Sequence, residues 1–258
     1  MTKHTKDTHD HFQGKAALHH VVEKRTEAIR SFAEDHGTEI PGHISAMADA
    51  AREMALFLTL FTLLLTAIGL QMVPLLLGLG TSAFGYLVWK MGRSAHLGWA
   101  RLERLHRVIA QEKWEIEHHR AQEREELEAL YGAKGFEGKL LDEVVDVLMA
   151  DQDRLLRVMV EEEMGLNLQV YEHPLKQCVG AGLGALLSAL LALIGALLWF
   201  PYGLGIGAIV IFIGAGILAA HYQGNRWLPT VIWTLAIALL AVGVALFSLL
   251  FLLRLSNG

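Results

Sequence analysis

Two stretches of this chain, residues 54–89 and 178–258, contain no acidic residue and only two bases, Arg226 and Arg254. The rest is ordinary in charge. Residues 1–53 carry seven Lys/Arg and nine Asp/Glu, and residues 90–177 carry thirteen and eighteen. A water-soluble core does not require uncharged runs of twenty or more residues, whereas a hydrocarbon layer about 30 Å thick does. The partition therefore predicts an integral membrane protein.

Within the uncharged stretches the spans fall at about Met54–Leu70, Val73–Trp89, Cys178–Trp199, Tyr202–His221 and Pro229–Leu253. The first two are short and joined tightly around Pro74, as a hairpin. FPYG at 200–203 turns a second hairpin. The fold class is all-α, with five transmembrane helices and a three-helix cytoplasmic domain inserted between spans two and three. The domains are a polar, His-containing segment 1–53, a hairpin 54–89, the inserted domain 90–177 and spans 178–258. Lys90, Arg93 and Arg226 flank the spans on one side, while the turns at 71–73 and 200–202 have no base. The positive-inside rule then places the N-terminus and the 90–177 domain in the cytoplasm and the C-terminus outside. A bacterial inner (plasma) membrane suits that arrangement.

Residues 15–36 read as a helix stopped by Gly37 and Pro41, and Ile44–Arg52 as a second short helix leading into the membrane. The polar start predicts no cleavable signal, so the first span serves as the membrane signal. A net charge of −5 gives no footprint for nucleic acid, and the single Cys178 excludes an internal disulfide framework. Gly180/Gly184 and Gly203/Gly207 have the small-xxx-small spacing of closely packed membrane helices. A dimer seam or a moving transport helix, and plain packing within one subunit, are equally open readings.

The inserted domain reads as helices at about Ser94–Tyr131, Glu137–Ala150 and Asp151–Met164. Leu140, Leu141, Val144, Val147 and Leu148 supply the apolar stripe of the second. The first, roughly 57 Å long at 1.5 Å per residue, contains "QEKWEIEHHRAQEREELEALYG" (111–132). On a helical projection Glu112, Glu115, His119, Glu123 and Glu126 share an arc of roughly 80°, with Lys113, Arg120 and Arg124 outside it. Like charges so spaced repel by a few tenths of a kcal/mol per pair. A solvated surface or a dimerisation arm is the plain reading. The alternative is a cation site, and carboxylates with imidazole suit Fe2+, Mn2+ or Zn2+. The third helix offers Met159, Glu162 and Glu163, and a thioether favours a transition metal over Ca2+ or Mg2+.

These residues, with the five-span architecture, resemble the vacuolar iron transporter family. The resemblance rests on the paired E-x-x-E of Glu112/Glu115 and Glu123/Glu126, followed by "EREELEALYGAKGF", "LLDEVVDVLMADQD" and "MVEEEMGL". It implies Glu112, Glu115, Glu123, Glu126, Met159 and Glu163 as ligands to Fe2+ and related ions at the interface of a homodimer. Val160 stands where the family carries a carboxylate. The first span lacks the family's N-D-G-like aspartate, since the region reads "AAREMALFL", with Glu53 the nearest acid. The second ends "SAFGYLVWK", without the family's glutamate.

The expected function is therefore a membrane transporter, not an enzyme. It would capture Fe2+, or Mn2+, on the acidic domain and move it out of the cytoplasm by proton antiport, with Glu53 and Met54 on the path. Membrane lipid and a second copy are the expected partners. The alternative is a sensor or storage protein of the same family that has lost transport, since an ionisable group within the membrane is what coupled exchange needs. His4, His9, His11, His19 and His20 could gather metal for delivery, or have no role.

Overall fold

The computed structural model describes residues 41–164 and 172–256. The 15–36 helix and the five N-terminal histidines lie outside the described residues, as does the Glu163 side chain. Among the described residues every regular element is helical, and five helices are long and apolar enough to cross a membrane. The protein is an all-α integral membrane protein. Its chain divides into two compact units, one containing residues 101–171 and the other 37–100 and 172–258.

The membrane unit begins with α1, Gly42–Ala67. It starts twelve residues before the expected boundary because no proline follows Pro41 to break the helix before Met54. The expected short helix Ile44–Arg52 is its first three turns. Gly69, at φ +80°, makes the turn into α2, a conformation open to glycine at no steric cost. Helix α2, Met72–His118, is one helix of 47 residues. Between Trp89 and Ser94 stands Gly92, which weakens a helix by only about 1 kcal/mol, and the second span and the expected first domain helix are continuous. Pro74 sits in its first turn, where its missing N–H costs nothing. Then follow α6, Pro174–Trp199, α7, Tyr202–Gln223, and α8, Trp227–Ser256, after the three shorter helices of the other unit. Gly224, at φ +66°, ends α7, its N–H bonding the His221 carbonyl while Asn225 N–H bonds that of Ala220, a glycine stop of the usual kind.

Small residues hold this unit together. Ala181, Ala185, Ala189, Ala192 and Ala196 of α6 are buried against Met54 and Leu58 of α1 and Leu75, Leu79 and Ala83 of α2. Ala48 and Ala51 of α1 meet Ala215 and Ala219 of α7. Where lipid surrounds a bundle, burial adds little between helices, and close van der Waals approach does the work. The glycine spacing thus serves packing within one chain. A Cβ on Gly180 or Gly184 would stand 2.1 Å from the His43 carbonyl oxygen or 2.0 Å from that of Met47. Gly195 and Gly203 press on each other's carbonyls in the same way. The outward faces carry Leu, Ile, Val and Phe, densest on α8. Exposed Trp199 and Tyr202 at one end, and Trp89, Tyr222 and Trp227 at the other, form the aromatic belts of a spanning protein.

In the other unit, the last turns of α2 are followed by α3, Arg120–Ala133, α4, Gly138–Met149, and α5, Gln152–Val158, which continues as a π-helical turn, Met159–Glu163. Asp151 caps α5 by accepting the Arg154 N–H at 2.8 Å. The core is Ile116, Leu127, Val145, Met149, Leu155 and Met159. The expected stripe on α4 needs correction. Val145 and Met149 are buried, Leu141 and Leu148 pack beside them, and Leu140 and Val147 face outward. Apolar residues cover more than half of that helix, so periodicity left two faces in competition.

Candidate metal centre

The acidic stretch is not one helix. At His119 the backbone leaves helical geometry, with φ −123° and ψ 32°, and α3 starts anew. The His119 carbonyl accepts the N–H groups of Gln122 and Glu123 at 2.8 and 3.2 Å. This break changes what the acids can do. In a straight helix Glu112 and Glu123 would stand about 16 Å apart along the axis, too far for their side chains to meet. Instead one carboxylate oxygen from each of Glu112, Glu115 and Glu123 lies within 4.8 Å of the others.

All three are buried, Glu112 and Glu123 completely. Glu126, one turn beyond Glu123, is 1% exposed. Two charged carboxylates at that separation repel by on the order of 3 kcal/mol at an effective dielectric near 20, and burial removes the water that would screen them. Acids on a solvated face adopt neither arrangement. Gln111 donates to Glu115 at 3.1 Å. Arg120 donates to the Met149 carbonyl, and Arg124 pairs with Glu128 at 2.9 Å and Asp146 at 2.7 Å. The Asp146 hydrogen bond raises the Arg124 guanidinium above its ordinary value.

Other expected ligands are distributed differently. His119 is half-buried at the break itself. Met159 is buried among Ile116, Leu127 and Leu155. Glu162 forms an ion pair with Lys134, whose ammonium also lies 4.7 Å from the Tyr131 ring centre. Three buried carboxylate oxygens converging in this way are a donor set for a divalent cation.

In the membrane unit, Glu53 and Met54 part company. Met54 is fully buried among Leu58, Leu75 and Leu79. Glu53 turns to α2, where Lys90 Nζ lies 2.6 Å and the Tyr86 hydroxyl 2.8 Å from its Oε2. Glu53 also lines an open, mostly apolar cavity of about 470 Å³ with Arg52, Leu56, Phe212, Thr230 and Trp233. Lys90 and Tyr86 are partners of Glu53 that sequence reasoning missed as such. A signal for them existed: Glu53 and Lys90 are the charges that bound the uncharged 54–89 hairpin on either side. A hairpin brings its two ends together.

Five membrane-length helices, with a polar helical unit between the second and third in sequence, define an integral membrane protein. The chain belongs to the VIT family, whose sequence profile matches residues 91–248, more than half of its length. That family is one of membrane metal transporters. No curated protein matches the chain. The matched stretch begins one residue after Lys90, so Glu53, Tyr86 and Lys90 lie before it and are read from their own chemistry.

Proposed function

We propose that this protein moves Fe2+, and also Mn2+, out of the cytoplasm in exchange for protons. The convergence of Glu112, Glu115 and Glu123 carries the reading, since three carboxylate oxygens within 4.8 Å of one another supply several ligands to one divalent cation. Glu126 and His119 flank the capture site, Met159 lies in the core beneath it, and Glu162 and Glu163 are on the π-helical turn that Met159 begins. Glu53 is the path carboxylate. Basic residues at the Lys90–Arg93 end favour a cytoplasmic position for the 101–171 unit, in the inner membrane of a bacterium. A homodimer is the working assembly, and the outward Leu140 and Val147 are candidates for its contact. A second reading, a sensor or storage protein that no longer conducts, is favoured by one observation: Glu53 already has a cation beside it.

The exchange can be tested with full-length protein in vesicles that hold a pH-sensitive dye. Mn2+ entering through protein whose metal-binding unit faces outward should raise the internal pH, because protons leave as metal enters. Metal entry with no pH change would contradict antiport.

A further inference from the structure

Lys90 is the residue the proposed mechanism leaves unused. Its side chain is 7% exposed, at the end of a membrane span, where a buried ammonium must have a partner. That partner is Glu53, which is 47% exposed and open to the cavity between α1, α7 and α8. The two donors, Lys90 and Tyr86, converge on one oxygen, Oε2. The Tyr86 ring is held in place by stacking on Phe57 at 5.0 Å, and Phe57 stacks on Phe61 at 5.7 Å. Two further cations lie near Glu53: Arg52 bonds Asp49 at 3.2 Å and the Ala215 carbonyl at 2.8 Å, and Arg93 acts on Glu53 through its charge. Lys90 is the cation in direct contact with Glu53 at 2.6 Å, approaching from the buried side while the cavity reaches the same carboxylate from the other.

We infer that Lys90 is a tethered counter-cation that competes with the transported metal for Glu53. A divalent ion arriving from the cavity displaces the ammonium, and the returning ammonium displaces the ion. The inference rests on Glu53 being a path residue. The competition needs no further group: the carboxylate is ionised whenever it holds the metal, as a metal ligand must be, and pairs with the ammonium when the metal has left. A fixed ammonium also sets a threshold, because an ion must outbid Lys90 to bind. A divalent ion, with twice the charge, can do so where Na+ or K+ does not.

The test uses full-length protein, with Mn2+ as the probe. An amine-specific reagent, read by mass spectrometry at Lys90, should modify the wild type several-fold faster when Mn2+ is added. In Glu53→Gln, Lys90 should react fast with or without Mn2+. In vesicles, Lys90→Met should lower KM for Mn2+ about tenfold and also lower kcat, since the ion is held without a competitor to expel it. If Mn2+ leaves Lys90 reactivity unchanged while Glu53→Gln abolishes flux, the path reading stands and Lys90 is merely structural. If Glu53→Gln transports as the wild type does, the path reading and the inference fall together. Should Lys90→Met fail to fold, the labelling of wild-type protein decides.

Discussion

Replacing Glu112, Glu115 and Glu123 together by glutamine should weaken Mn2+ binding to the full-length protein by more than about 100-fold. Loss of partners that merely orient metal ligands costs 10–100-fold, and here the ligands themselves lose their charge. The same substitution should act oppositely on the metal-free protein. Three oxygens within 4.8 Å in a buried site repel when charged, so the metal-free unfolding midpoint should rise. For the wild type, Mn2+ at 100 times its Kd adds about 2.7 kcal/mol of stability, and in the triple variant that gain should vanish. Calorimetric titration and thermal unfolding of the same preparations read both effects. Affinity unchanged within about threefold, together with an unchanged metal-free midpoint, would leave these glutamates without a role in metal binding.

The second large effect is on stability. Gly184→Ala should destabilise the membrane unit by about 1–3 kcal/mol or more, because overpacking between fixed backbones has no side chain to yield. The added Cβ would meet the Met47 carbonyl oxygen at 2.0 Å, so α1 and α6 must separate along the whole alanine seam. Gly205→Ala is the matched control, since a Cβ there has nothing within 4 Å. Thermal unfolding in detergent should show Gly184→Ala melting several degrees lower, with Gly205→Ala at the wild-type midpoint. Equal midpoints for the two variants would show that the glycines do not set the α1–α6 distance.

The five spans were legible because charge in a membrane protein is distributed by solvent, and the chain's two uncharged stretches record that distribution directly. The break at His119 was not. "HHRAQ" contains neither glycine nor proline, and the eleven residues from Glu112 to Glu123 make close to three helical turns. Acids and apolar residues therefore stay in phase across the break, and a helical projection looks the same with or without it. What bends the chain is tertiary: Ile116 and Leu127 enter one core with Val145 and Leu155. The acidic residues could be picked out from sequence, but their convergence could not. Lys90 was hidden for a different reason. As a flanking base it reads as an orientation signal, and its burial against Glu53 follows from the register of α1 on α2, which no local pattern encodes.

Metal movement across the membrane is the central claim, and accumulation of Fe2+ or Mn2+ in vesicles reconstituted with wild-type protein measures it most directly. The expected result is uptake above that of empty vesicles, abolished by Glu53→Gln. Uptake no greater than that of empty vesicles, from protein that binds the metal tightly, would contradict transport and leave a membrane-anchored metal sensor or store.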